Sequence, residues 1–193
     1  MGIHSLDKNY DALDRLEKWD EVTQALIKKR IRDEVGSALS YLFLSDQEGE
    51  TLEIICDILL PQLKDKNYIK ISEAIDRDLA SGKKGVRYGD DPWPQEFYKK
   101  GLAEIIIFAK KEFAEPVENM NFVQLNEMTE RIMQRDPADF LRRFLRRVLA
   151  DGVKIYYSHP KAWNEVGFPG PAYPEGYAYL DCDKKFDWEP KYE

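Results

Sequence analysis

Apolar residues in this chain recur at intervals of three and four and nowhere alternate for long, so they can be buried as helices but not as strands. The clearest case runs from Phe140. At about 100° per residue, Phe140, Leu141, Phe144, Leu145, Val148 and Leu149 fill one half of the circle, and Arg142, Arg143, Arg146 and Arg147 the other. Asp136-Pro137 precedes it as an N-cap acid followed by a first-turn proline. Ser45 and Glu48 form a capping box ahead of Leu52, Ile55, Cys56, Leu59 and Leu60, and Pro61 ends that helix. Further helices are expected near 19–36 (Val22, Leu26, Ile27, Ile31), 68–81 with Gly82 as the stop, 95–113, and from Phe122 to Met133. The fold class is all-α: an irregular helical bundle over 19–157, a loosely ordered polar start over 1–18, and a different kind of segment over 158–193.

That last segment is not a simple disordered tail. The final 38 residues, from Tyr156, hold ten of the 24 aromatic residues and five of the ten prolines. Proline and glycine at that density suit an extended chain rather than a helix. The rings must be buried, either on the chain's own bundle or on a second protein. Trp163, Phe168, Tyr173 and Tyr177 are the candidate anchors, with Pro169, Gly170 and Pro171 shaping the backbone between them.

Groups for chemistry are scarce. With two His and two Cys, the 193 residues cannot build a zinc finger, an iron–sulfur cluster or a disulfide framework. A carboxylate di-metal bundle needs Glu-x-x-His on two helices, and Tyr156 stands three residues before His159. No catalytic residue and no metal site is therefore expected. His159, before Pro160, suits capping of carbonyls at the end of the long helix. Cys56 falls on an apolar stripe and reads as core. Cys182, between Asp181 and Asp183, is a poor nucleophile, though it could supply an intersubunit thiol.

The four arginines could bind an anion, nucleic acid or an acidic partner surface, or simply be a solvated face. A formal net charge of −7 speaks against nucleic acid. The start lacks a signal-peptide core, and no apolar run is long enough to span a bilayer, so the chain is expected to be cytoplasmic as synthesised. From the residues alone, a contact protein competes with a stand-alone helical small-molecule binder or enzyme.

Three segments sharpen this. Leu52 to Pro61 resembles an L-x-x-I-C-D-x-I-I-P helix behind a capped start. Phe140 to Tyr157 leads into Ser158-His159-Pro160, like a helix followed by an S-[DH]-P turn. Trp163 to Pro171 (WNEVGFPGP), with Gly176-Tyr177 beyond, looks like W-x-x-[IV]-G-[FY]-P-G-P. In this order they resemble the gluconate 2-dehydrogenase subunit 3 family. The resemblance implies a non-catalytic accessory subunit that escorts and stabilises a flavin-containing catalytic subunit of a gluconate, sugar or polyol dehydrogenase. It implies no cofactor in this chain, FAD in the partner, and in many complexes a cytochrome c subunit as electron acceptor. Many members begin with a twin-Arg signal; this sequence opens on a charged stretch instead, and export could then occur in company with the partner.

Overall fold

Ser45 opens the helix around which the larger part of the molecule is built. Its hydroxyl accepts from the Glu48 amide while the Glu48 carboxylate accepts from the Ser45 amide, closing the capping box that starts α2, Asp46–Leu59. The computed structural model describes residues 11–32, 41–62, 68–82, 91–168 and 170–171, and no strand occurs among them. The chain divides into two compact units, one of residues 38–155 and one of residues 1–37 with 156–193. The fold is all-α.

In the 38–155 unit, α2 packs on α3 (Ile71–Ala80), α4 (Pro94–Phe113), α5 (Phe122–Met133) and the short 3-10 turn Val117–Asn119. Leu52, Ile55 and Cys56 of α2 are buried, as are Leu102 and Ile105 of α4 and Met128 and Ile132 of α5. Each such large side chain contributes about 2 kcal/mol of burial. The late helix, α6 (Phe140–Ser158), enters this core through Phe140 and Phe144. The Phe97 ring lies 5.2 Å from Phe140 and 6.0 Å from Phe144, and Tyr98 lies 5.7 Å from Phe144. This close approach needs Gly101, where a Cβ would fall 2.2 Å from the Phe144 ring.

The capped start carries a pH-dependent contact. Glu48 Oε2 accepts from the Ser45 amide and hydroxyl, both at 2.8 Å, and from Lys99 Nζ at 2.5 Å. Burial alone would raise this carboxyl, but the Lys99 and Ser45 hydrogen bonds outweigh it and hold it below the usual carboxylate range. A depressed folded-state pKa gives stability that is full above the unfolded value, about 4.3, and is lost as pH falls through the folded one. Glu48→Gln should therefore cost about 1 kcal/mol at neutral pH. Urea titrations at pH 7 and near pH 3 should show the gap between the two proteins closing in acid; an equal gap at both would contradict the assignment.

Several expectations shift by a turn or a face. The long helix begins at Phe140, and Asp139 supplies its side-chain cap, accepting from the Arg142 amide at 3.2 Å. Asp136 instead folds the preceding turn, its carboxylate accepting from the Ala138 amide at 2.7 Å. Both acids are capping residues, and Pro137 in the turn does not enter the helix. Phe122 is exposed, because α5 turns Met128 and Ile132 inward. Gly82 does stop α3, with a positive φ of 65°. Gly36 lies outside the described residues. Among the described residues no helix is long and apolar enough to cross a membrane.

Candidate functional site

The WNEVGFPGP segment belongs to the second unit, and there it grips the N-terminal part of the chain. His159 caps a short 3-10 turn, Pro160–Ala162, with proline at its first position. One helical turn follows, α7 (Trp163–Val166), closed by Gly167 at φ 64°. The start of the segment expected to be extended is thus helical, because its proline and glycine stand at the two ends of these turns, where each favours a helix boundary.

The polar start expected to be loose is ordered over 11–18. Asp11 caps a 3-10 helix, Ala12–Lys18, and Asp20 then caps α1 (Glu21–Arg32) through the Val22 and Thr23 amides. Residues 1–10 lie outside the described residues. The order comes from contacts distant in sequence. Asn164 accepts from the Ala12 amide at 2.8 Å and donates to Asp11 at 3.1 Å. The Trp19 indole N–H donates to the Pro171 carbonyl at 3.0 Å. Trp19 and Trp163 meet edge to face at 6.3 Å, and with Ala12 and Ile27 they form a buried cluster flanked by Leu13, Leu16 and Ile31. Gly170 lies against Trp19: at φ 90° its backbone suits glycine, and a Cβ there would come within 2.4 Å of the indole.

The ends of α1 and α6 are tied reciprocally. Arg30 donates to the Ser158 carbonyl at 3.2 Å. His159 Nδ1 accepts from the Lys161 amide, which places the proton on Nε2, 3.2 Å from the Arg30 carbonyl. His159 does cap a carbonyl, but one on α1 rather than on its own helix. Only part of the apolar pattern of α1 is used inward: Ile27 is buried, whereas Val22 and Leu26 are 70% and 56% exposed. Of the candidate anchors, Trp163 is 4% exposed and spent on this cluster, while Phe168 packs on it at 5.3 Å yet keeps 38% of its surface open. Trp163 therefore positions the segment rather than presenting itself. Pro169, Tyr173, Tyr177 and Cys182 lie outside the described residues. Sequence reasoning passed over Trp19, Asn164 and Asp11. An isolated tryptophan in a charged stretch was the available signal.

The arginine face of α6 is largely engaged within the molecule. Arg142 donates to the Arg135 carbonyl and Arg143 to the Ala138 carbonyl, both in the turn before the helix. Arg143 also pairs with Asp91 at 2.8 Å, and Arg147 with Asp151 at 2.6 Å; Arg146 is exposed. Cys56 is buried, and desolvation, followed by Asp57 and Glu53 nearby, pushes its thiol far up. Asp57 accepts from the Tyr68 hydroxyl at 2.8 Å, so the C-D pair of the first motif serves the core and a helix–loop tie. Among the described residues no group of three or more His, Cys, Asp or Glu could hold a metal ion.

Comparisons with curated proteins and with solved structures gave no match. The family model described as gluconate 2-dehydrogenase subunit 3 matches residues 46–170, about two thirds of the chain, from the capped start of α2 to the glycine against Trp19. This chain belongs to the gluconate 2-dehydrogenase subunit 3 family.

Proposed function

We propose that this protein is the accessory subunit of a gluconate or related sugar or polyol dehydrogenase, where it binds and stabilises the FAD-containing catalytic subunit and is not itself the catalyst. The family match over residues 46–170 carries the reading. It is supported by how the family-like segment is used: Trp163, Asn164 and Gly170 hold structure together, and Phe168 at their edge remains open for a partner. A partner that binds only the folded flavoprotein raises its stability by mass action. Phe168 is the described anchor, with Tyr173 and Tyr177 further along; the FAD belongs to the partner, and a cytochrome c subunit would take its electrons.

The test is co-expression with the flavoprotein subunit of the same dehydrogenase. The two should co-purify with flavin absorption, and the flavoprotein should melt lower when expressed alone. Phe168→Ala should weaken co-purification while leaving the melting of the isolated chain within about 1 kcal/mol of the parent. Absence of association, or gluconate oxidation by the isolated chain, would overturn the reading.

A further inference from the structure

α1 presents an apolar strip outward. Ile27 turns into the cluster with Trp19 and Trp163, while Val22 and Leu26, one turn apart, are 70% and 56% exposed. Ala25 and Lys29 lie on the same exposed side, and Lys28 and Arg30 flank it. From Val22 to Arg32 the helix carries Lys28, Lys29, Arg30 and Arg32 and no acid. A surface of this kind is complementary to apolar side chains set among carboxylates.

The chain itself supplies such a segment close by. The Pro171 carbonyl is bonded to the Trp19 indole, and Gly170 lies against the same ring, so the backbone leaves the described residues beside the tryptophan that precedes α1. Residues 172–193 follow, outside the described residues. Within them Phe186-Asp187-Trp188-Glu189 alternates rings with acids. Phe186 stands 15 residues beyond Pro171, a reach of up to about 50 Å. With 12 residues α1 is about 18 Å long, so the tether spans any part of it. A tether of this length gives an effective concentration on the order of 1 mM. A contact with a dissociation constant of about 0.1 mM is then about nine-tenths closed within one chain, whereas a second copy would need that concentration in solution. The arithmetic favours the chain's own segment as the occupant.

We propose that Phe186 and Trp188 of the same chain dock on the Val22 and Leu26 strip of α1, with Asp187 and Glu189 meeting the charge of Lys28 and Lys29. The segment beyond Pro171 is then a strap that covers α1 in the free protein. Tyr173 and Tyr177 are not part of this contact, which stands or falls independently of the flavoprotein reading.

Cys182, four residues before Phe186, carries the probe. Cys56 is buried and its thiol is pushed far up, so a thiol-directed nitroxide goes to Cys182 of the full ¹⁵N-labelled chain. The label should broaden the Val22, Leu26 and Lys29 amide signals. Phe186→Ser with Trp188→Ser should cut that broadening at least about threefold, as expected when a mostly closed tethered contact becomes mostly open. Val22→Gln with Leu26→Gln, at exposed positions that do not endanger the helix, should do the same. Lys28→Glu with Lys29→Glu should cut it about twofold at low salt. Broadening that none of these changes alters is what the tether alone would give, and it overturns the proposal. Equal broadening of a ¹⁵N chain without nitroxide by a nitroxide-bearing ¹⁴N chain assigns the strip to a second copy and also overturns it. So does weakened co-purification of the Val22→Gln, Leu26→Gln protein with the flavoprotein while its broadening stays intact, which assigns the strip to that partner.

Discussion

Asp76→Ala should destabilise the 38–155 unit by about 3 kcal/mol, the larger part of which a neutral amide would not restore. Asp76 is 2% exposed on α3, yet its carboxylate is well served. Oδ2 accepts from the Leu42 amide at 2.5 Å, and Oδ1 from Phe43 and Leu44 at 3.1 and 2.8 Å. These amides precede the capped start of α2, so the side chain fixes how the chain enters its central helix. Hydrogen bonds to a charged acceptor contribute about 1.5–3 kcal/mol each, but Leu42 is exposed and water replaces part of the loss there. Asp76→Asn keeps a single acceptor oxygen and should recover less than half. Denaturant unfolding with an unchanged slope would measure both. A loss below about 0.5 kcal/mol for the alanine variant would mean that the loop holds itself.

Trp163→Ala should cost the unit of residues 1–37 and 156–193 about 3–5 kcal/mol, the usual range for a buried tryptophan. The side chain touches Trp19 at 6.3 Å and Phe168 at 5.3 Å, and its removal leaves a cavity between them. The Trp19 indole N–H, bonded to the Pro171 carbonyl, is a local reporter. In the parent its exchange with solvent should be slow; in the variant it should be at least about 100-fold faster, as a loss of this size requires. An indole that stays protected would show that the contact of Trp19 with residues 170–171 does not depend on Trp163. Phe168→Ala should move this signal little, which separates holding the unit together from contacting a partner.

What could be read from the chain follows the range of the interactions. The capping box, the inward face of α2 with Cys56, the Gly82 stop and the arginine half of α6 are local patterns, and each is where the sequence places it. The repeat of Val22, Leu26, Ile27 and Ile31 marks α1 as a helix but not its inward face: α1 is apolar over more than one face, and the cluster with Trp19 and Trp163 selects Ile27. Asp76 looks like an ordinary surface acid between Ile75 and Arg77; its partners lie 32 to 34 residues earlier. Trp19 gives no local sign of Pro171, 152 residues later. For the aromatic segment, the choice between its own chain and another protein depends on such distant contacts. For Trp163 its own chain is the answer.

The distance between Trp19 and Pro171 also sets an order of events during synthesis. Residues 11–32, carrying Trp19 and Ile27, are made well before the residues that shelter them, His159 to Pro171. The intervening 38–155 unit has all of its own residues available earlier. The 11–32 segment must therefore wait with these side chains uncovered until His159 to Pro171 have been made. A chain truncated before Trp163 would carry every residue of the 38–155 unit but leave the 11–32 segment uncovered, a form suited to capture by chaperones or to aggregation.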